Sequence, residues 1–572
     1  MSFRAPVSDL SHALRVAGLD ALLGKAPFAD VDRETIDAVL SGAAEFAEGV
    51  VAPINRGGDI AGARLENGRV VTAPGFADAY RKYCDGGWSG LSSVPEFGGQ
   101  GLPRALSLAV FEIIQAANVS FGLCPMLSEA AMHLLAAQGT DNQKRRYLRP
   151  LVSGAWTGTM NLTEPQAGSD LAQIRTRAEP DGAHYRITGQ KIFISWGDHD
   201  LAENIIHLVL ARLPDAPPGV KGISLFLVPR VLVDESGKPG AANTLQPLSL
   251  EHKMGLHASP TCVMSFEGAL GEIVGAPGQG LALMFLMMSE ARLNVGVQGV
   301  GVAERATQAA LSFARSRRQG RSPWNSEYPA MIFDLPDVRR MLMLMKAKTE
   351  AARAICLATA VAADLAEHAP TPHAREAAKL REEFLVPIAK AWSSDVSVEV
   401  ASLGVQVHGG AGFIEETGAA QYYRDARVLP IYEGTNGIQA IDLAGRKLGL
   451  GNGAAVRALI VEMRATAVDA IIKKTFVTAV AAAERASDWM IAQRGGVDSL
   501  GAATTYLKLM GDVIGGWMLA KSATLAVGDV AQGKFAIARF YAAQVLTQAP
   551  GLADAIEQGA AELQNSAVFP PE

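Results

Sequence analysis

Residues 280–319 read GLALMFLMMSEARLNVGVQGVGVAERATQAALSFARSRRQ. Apolar side chains recur at three- and four-residue steps through most of the run, the period of a long helix buried along one side. Gly296, Gly299 and Gly301 interrupt it. Each lowers helix propensity, so three in one helix predict close packing against another helix or a ligand. Arg315, Arg317 and Arg318 gather at its end, where cations suit a helix C-terminus and where guanidinium forks also suit phosphates.

Downstream, DLPDVRRMLMLMKAKTEAARAICLATAVAADLAEHA and PHAREAAKLREEFLVPIAKAWSSDVSVEVASLGVQV predict two more long helices. A short fourth follows in PIYEGTNGIQAIDLAGRKLG (430–449), with Ile438, Ile441 and Leu448 expected on one face, Arg446 and Lys447 in the last turn, and Gly449 as the stop. Together these predict a helical bundle with binding loops at its ends.

Upstream the texture changes. HYRITGQKIFIS alternates, and NIIHLVLARL, GISLFLVPRVLV and PTCVMSFEGALGEIVG are β-branched or alternating runs between Pro- and Gly-rich turns. The fold class expected is therefore mainly α with a central β-domain. It divides into an N-terminal helical domain (1–155), a small β-barrel or sandwich (156–275), a four-helix bundle with its loops (276–450) and an extra helical domain (454–572). The last is expected to be joined by the flexible linker GLGLGNG. Helices and strands do not alternate, which excludes a doubly wound sheet.

A chain of 572 residues is too long for one compact core. A net charge of −6 argues against nucleic acid or anionic membrane as the main partner. The start, MSFRAPVSDLSHAL, lacks the pattern of a signal peptide, and the run Leu281–Met288 stops short of a membrane span at Ser289 and Glu290. Cys84, Cys124, Cys262 and Cys356 are scattered, which fits a reducing cytoplasm and offers no metal site. His408, His252 and His257 have no partner at ligand spacing.

Several stretches could carry chemistry. TEPQAGSD (163–170) can turn backbone N–H groups and hydroxyls toward a polar heterocycle or a phosphate, although by itself it reads more readily as a surface turn. GQKIFISWGDHD (189–200) sets Phe193 and Ser195 on one face of a strand, suited to a flat ring with a polar edge or to an inward core Phe. QVHGGAGF (406–413) pairs glycines that admit a close backbone approach. In PIYEGT, Glu433 is an acid with no Lys or Arg beside it in sequence. It is either a solvated acid near a helix start or a dry, strong base with no adjacent cation to lower its pKa.

In order, TEPxAGSD, GxKxxIS, EAR, RRQG, QVHGGAGF and RDARVLPIYEGT resemble the acyl-CoA dehydrogenase family of flavoproteins across about residues 35–450. The likeness is strongest to its longer members of the 3-methylmercaptopropionyl-CoA dehydrogenase type, which add a C-terminal helical domain. The resemblance implies FAD as cofactor and an acyl-CoA thioester as substrate. Glu433 would take the pro-R α-proton while the β-hydrogen leaves as hydride to flavin N5. The Glu433 N–H and a flavin hydroxyl would polarise the thioester carbonyl.

By the same resemblance, Met160, Leu162 and Thr163 would lie along the isoalloxazine, and Phe193 and Ser195 would cover it. Phe193 stands where Trp is commoner. Ser169 would serve the cofactor phosphate or CoA, and Arg292 and Gly434 the substrate. Arg317 and Gln319 would reach the FAD pyrophosphate, Gln406, Gly409 and Gly410 the adenosine half, and Thr435 would hold the cofactor near the base. Gly437 replaces a common Gln, so that contact is not carried over. The family takes the arginine and the glycine loop from a neighbouring subunit, which implies a homodimer or dimer of dimers, with electron-transferring flavoprotein as acceptor. Some relatives carry the base where Ala291 stands; Glu290 is rotated about 100° from that position and is expected to be structural. The rival expectations are an acyl-CoA oxidase using O2 and a catalytically silent flavin-binding scaffold.

Overall fold

The computed structural model describes residues 3–563 together with 565, 567 and 568. Two buried helices, α1 (Arg104–Ala117) and α2 (Val119–Gln138), dominate the N-terminal part. Asn118 separates them in an extended conformation, its side chain accepting from the Phe121 N–H at 3.1 Å to cap α2.

A sheet of seven strands follows: β1 (Trp156–Asn161), β2 (Arg177–Asp181), β3 (His184–Ser195), β4 (Asn204–Arg212), β5 (Ile223–Pro229), β6 (Leu245–Leu250) and β7 (Thr261–Val274). Strand β7 pairs with β3, β3 with β2, β2 with β4, β4 with β5, and β5 with β7. The sheet therefore closes on itself as a small barrel, with β1 beside β4 and β6 beside β7. Ile187, Val209, Phe226, Val228, Met264 and Phe266 fill the barrel core. Of the two β architectures expected, barrel and sandwich, the barrel is the one formed.

The bundle is built from α3 (Gly280–Ser316), α4 (Pro336–His368) and α5 (Pro372–His408). Two short helices complete it, α6 (Ala419–Ala426) and α7 (Asn436–Asp442), the latter running on as a wider turn through Leu443–Lys447. The glycines of α3 have the predicted purpose. A Cβ on Gly296 would stand 2.5 Å from the Ala389 carbonyl oxygen, one on Gly299 2.7 Å from that of Ser393, and one on Gly301 2.8 Å from the Ala116 nitrogen. Helix α3 thus meets α5 on one side and α1 on another, backbone against backbone. Arg353 of α4 ties the same helices with buried bonds to Glu112 of α1 and Glu304 of α3, each 2.8 Å.

Three expectations need correction. Ile438 and Ile441 do not share a buried face with Leu448: they are 37% and 45% exposed, and Gln439, Ala440, Leu443 and Ala444 face inward instead. The helix rolls this way because its polar Gln439 turns inward to donate to the Glu433 and Gly434 carbonyl oxygens, at 3.5 Å each. The flexible linker does not leave the C-terminal helices loose: they pack on the bundle. In α8 (Val497–Leu525), Gly511 sits so close to Trp392 of α5 that a Cβ would stand 2.2 Å from the ring, and Trp392 Nε1 donates to Asp512 Oδ1 at 3.0 Å. In α9 (Asp529–Gln544), Lys534 Nζ reaches Asp9 at 2.7 Å and Glu350 at 3.0 Å. Finally, α2 and α3 do have the length and hydropathy of a bilayer span, which the short run Leu281–Met288 did not suggest; 83% and 61% of those windows are buried in protein, as in core helices.

A methyl group at Gly299 has nowhere to go, because the neighbouring atom is a backbone oxygen. Gly299→Ala is expected to cost about 1–3 kcal/mol of stability, read as a lower melting temperature than wild type in the same buffer.

Candidate active site

The loop from Pro430 to Thr435 joins α6 to α7 and is pinned from both sides. Tyr432 donates its hydroxyl to Gln298 Oε1 of α3. Thr435 caps α7, its hydroxyl oxygen accepting from the Ile438 N–H at 3.2 Å. Between them Glu433 has φ +54° and Gly434 φ +82°. Two successive left-handed residues are ordinary for glycine and strained for glutamate. A Cβ at Gly434 would stand 2.7 Å from the Gln439 amide nitrogen, so this position is closed to larger residues.

Glu433 is half-buried, not a solvated acid. Burial pushes its carboxyl up to about 7, against the lowering effect of Arg292 and Lys390. Those two cations correct the sequence expectation. No cation adjoins Glu433 along the chain, but α3 and α5 each deliver one through space. Arg292, 5% exposed, donates from Nε to the Glu433 carbonyl oxygen at 3.4 Å and stands 4.0 Å from Asp442. Lys390, wholly buried, donates from Nζ to the Gly434 carbonyl oxygen at 2.8 Å and to Asn436 Oδ1 at 2.9 Å. Both lean on the loop backbone, so the carboxylate keeps its basicity. Lys390 was missed in the sequence, although a lone lysine amid Ile388, Ala389 and Ala391 on a buried helix was a signal.

A second group forms at the barrel. The Ile192 N–H donates to the Thr163 carbonyl oxygen at 2.9 Å, which draws Leu162 and Thr163 beside Phe193 and Ser195. Here β3 bulges: Ile192 and Phe193 both stand against Val263, between the pairs Cys262–Ile194 and Met264–Lys191. The bulge turns Phe193 outward, 58% exposed with φ +59°, rather than into the core. Met160 lies buried on β1 and Ser169 is exposed in the turn. Two further residues missed in the sequence buttress this turn. Glu164 accepts from the Thr176 N–H at 3.0 Å, the Arg175 N–H at 2.6 Å and Lys191 Nζ at 2.8 Å, while Lys191 also donates to the Leu162 carbonyl oxygen. Burial would raise the Glu164 carboxyl, but Lys191 and these hydrogen bonds hold it down to about 2, so the pair is ionic.

Arg317, Gln319, Gln406, Gly409 and Gly410 form a third group, all exposed, where the ends of α3 and α5 meet through Phe313 stacked on His408 at 4.5 Å. His408 is packed in the last turn of α5, with Nδ1 bonded to the Gly404 carbonyl at 2.7 Å. At 1.5 Å per residue this cluster lies roughly 35 Å along α3 from Arg292. The two cannot serve one small group within a single chain.

These surfaces fit a flavin dinucleotide. Phe193 offers an open ring face beside the Ser195 hydroxyl. A Cβ at Gly409 or Gly410 would touch nothing within 4 Å, leaving bare backbone for a phosphate or adenosine. Arg317 donates to Gln319 at 3.3 Å and is otherwise free to turn its fork outward. Glu290, the displaced acid of α3, is engaged by Arg104 and by His133 at 3.3 Å and is structural, as expected.

The raised Glu433 carboxyl has a consequence for stability. Its folded pKa exceeds the ordinary value of 4.5 that it has in the unfolded chain, so the folded state holds that proton more tightly, and the stability this gives is lost as pH rises from about 4.5 to about 7. Glu433→Gln is therefore expected to melt higher than wild type at pH 8 and at the same temperature near pH 5, measured across a series of thermal scans.

Comparison with known proteins agrees with this layout. Family models for the acyl-CoA dehydrogenase N-terminal, middle and C-terminal domains match residues 33–155, 159–269 and 278–448, and the acetyl-CoA dehydrogenase C-terminal-like domain matches 456–565. The chain is 46% identical to 3-methylmercaptopropionyl-CoA dehydrogenase of Ruegeria pomeroyi, covering 96% of this chain and 97% of that one. It is 33% identical to the broad-specificity linear acyl-CoA dehydrogenase FadE5 of Mycobacterium tuberculosis, covering 97% of each. In fold it is similar to Caenorhabditis elegans ACDH-11, solved with C11-CoA (TM-score 0.81, 22% identity, 100% of this chain and 96% of that one). It is likewise similar to a Bacillus anthracis acyl-CoA dehydrogenase solved with FAD (TM-score 0.74, 20% identity, 95% and 92%). With every part of the fold matched in order, the chain belongs to the acyl-CoA dehydrogenase family of FAD-dependent oxidoreductases.

Proposed function

We propose that this chain oxidises an acyl-CoA thioester to its trans-2-enoyl-CoA, with Glu433 as the base. The observation that carries this is the Glu433 carboxyl itself, half-buried between α3, α5 and its own loop, pushed up to about 7, and fixed at positive φ by groups that bind its backbone. A carbon-bound proton beside a thioester is too weakly acidic for an ordinary solvated carboxylate, and a desolvated one is the stronger base. Among the described residues the Glu433 N–H has no acceptor within the chain, which supports its use as a donor to the thioester oxygen. Glu433 would take the α-proton, and bound FAD would supply the acceptor for the β-hydrogen and its electron pair. Leu162, Thr163, Phe193 and Ser195 would hold the flavin ring, with Met160 behind them. Ser169 and Arg292 would meet the CoA side, and Thr435 and Gly434 would keep the reacting end at the loop.

The distance between Glu433 and the Arg317–Gly410 cluster supports a homodimer in which each chain offers that cluster to its neighbour's FAD. Four free cysteines support a reducing, cytoplasmic setting, and electron-transferring flavoprotein is the acceptor expected of the family. For the substrate, the likeness to the Ruegeria enzyme favours 3-methylmercaptopropionyl-CoA over straight-chain acyl-CoA.

Anaerobic titration of the yellow protein with a panel of acyl-CoAs tests this. Flavin bleaching is expected, fastest with 3-methylmercaptopropionyl-CoA, and slow reoxidation by air would separate a dehydrogenase from an oxidase. Glu433→Gln should still bind FAD and acyl-CoA but reduce about 10²–10⁴-fold more slowly. Near-normal bleaching in that variant would remove Glu433 from the role.

A further inference from the structure

We propose that Lys390 is a positioning residue for the catalytic loop: by drawing the Gly434 carbonyl and Asn436 toward α5, it holds Glu433 in the left-handed conformation its role requires. The inference rests on Glu433 being the base.

Consecutive φ values of +54° and +82° at Glu433 and Gly434 do not arise from local preference. Something outside the loop must impose them. One turn of α5 does so. Lys390 Nζ donates to the Gly434 carbonyl oxygen at 2.8 Å and to Asn436 Oδ1 at 2.9 Å. The Asn436 amide donates back to the Ala391 carbonyl oxygen at 3.0 Å and to Asp395 Oδ1 at 2.8 Å. From the far side, Trp392 on the same turn is fixed to Asp512 of α8 at 3.0 Å. A lysine with no exposed surface needs such acceptors, and it has spent them on the peptide next to the acid.

Lys390 also faces Glu433 as a charge. Arg292 faces the acid from α3, Asp442 of α7 sits on the other side of Arg292, Arg446 pairs with Asp442, and Asp395 is the acid nearest Lys390 on its own helix. Burial pulls the lysine down to about 7, so lysine and glutamate titrate as a pair. Taking the cation away leaves Glu433 harder to ionise, and the basic form then emerges at higher pH.

The test is stopped-flow anaerobic reduction of the full-length, FAD-loaded protein by acyl-CoA between pH 5.5 and 9, for wild type, Lys390→Met, Lys390→Gln and Glu433→Gln. Lys390→Met is expected to lower the limiting rate at least about tenfold, since the base is misplaced. Substrate affinity should change little, and the apparent pKa of reduction should rise by about one unit. Lys390→Gln restores a donor without charge, so it should recover part of the rate and keep the raised pKa. A lysine that merely filled space would leave the pH profile unmoved, and a wild-type rate and profile in either variant overturns the proposal. Should neither variant load FAD, Asn436→Ser removes the lysine's second acceptor; a wild-type rate there overturns it too. The two failures are separable. A Glu433→Gln protein that bleaches normally sinks the base assignment, whereas a silent one beside a wild-type-like Lys390→Met sinks only the role of the lysine.

Discussion

Helices α3 and α5 touch through their backbones at Gly296 and Gly299, and the active site takes its dimensions from that contact. With no side chains between them, the facing carbonyls of Ala389 and Ser393 lie against α3 itself. Arg292 stands one turn before Gly296, and Lys390 adjoins Ala389. Their side chains therefore converge from opposite helices onto a loop only a few residues long. Wider spacing would leave two buried cations without acceptors, a far larger penalty than the helix propensity lost at the glycines.

How these cations are used decides what Glu433 can do. A guanidinium or ammonium bonded directly to the carboxylate would stabilise its charge and weaken it as a base. Instead Arg292 reaches the Glu433 carbonyl and Lys390 the Gly434 carbonyl. Position is thus fixed through the main chain while the side chain feels only the softer field of the same charges. Burial raises the acid, the two cations lower it, and the balance near 7 matches the range in which a general base works best. At the barrel the arrangement is opposite. Lys191 bonds the Glu164 carboxylate directly, the acid is held far below neutral, and the pair serves as a rivet under the Thr163 turn.

Much of this was legible in the residues, and the rest was not for identifiable reasons. Helical period, strand alternation and turn residues are local, so the bundle and a β-domain, barrel or sandwich, could be read directly, as could the order of motifs that leads to Glu433; closure of the sheet depends on pairings between distant strands and was not. The glycines of α3 announced close packing because nothing else explains three of them in one helix. Contacts between distant segments leave weaker traces. The distance from Lys390 to Gly434 is 44 residues along the chain and 2.8 Å in space, and only a charged residue in an otherwise apolar stretch hinted at it. The face of α7 was misjudged for the same reason. Counting Ile438 and Ile441 as core ignored Gln439, which turns inward to reach the Glu433 and Gly434 carbonyls at 3.5 Å each. Phe193 required a bulge that two-residue alternation does not encode.

The length of α3 imposes a final constraint. Its 37 residues carry Arg292 about a third of the way along and lead to Arg317 just beyond the end, a separation of roughly 35 Å. Backbone contact with α5 runs along its middle, and the Phe313–His408 stack ties its far end to the start of the glycine loop. No bending within the chain can bring that arginine back to its own Glu433. Arg317 and Gly409–Gly410 are exposed, which suits the proposed homodimer, in which a second chain would present its flavin site to them. The close glycine packing that assembles one half of the site thereby also fixes how far away the other half must be.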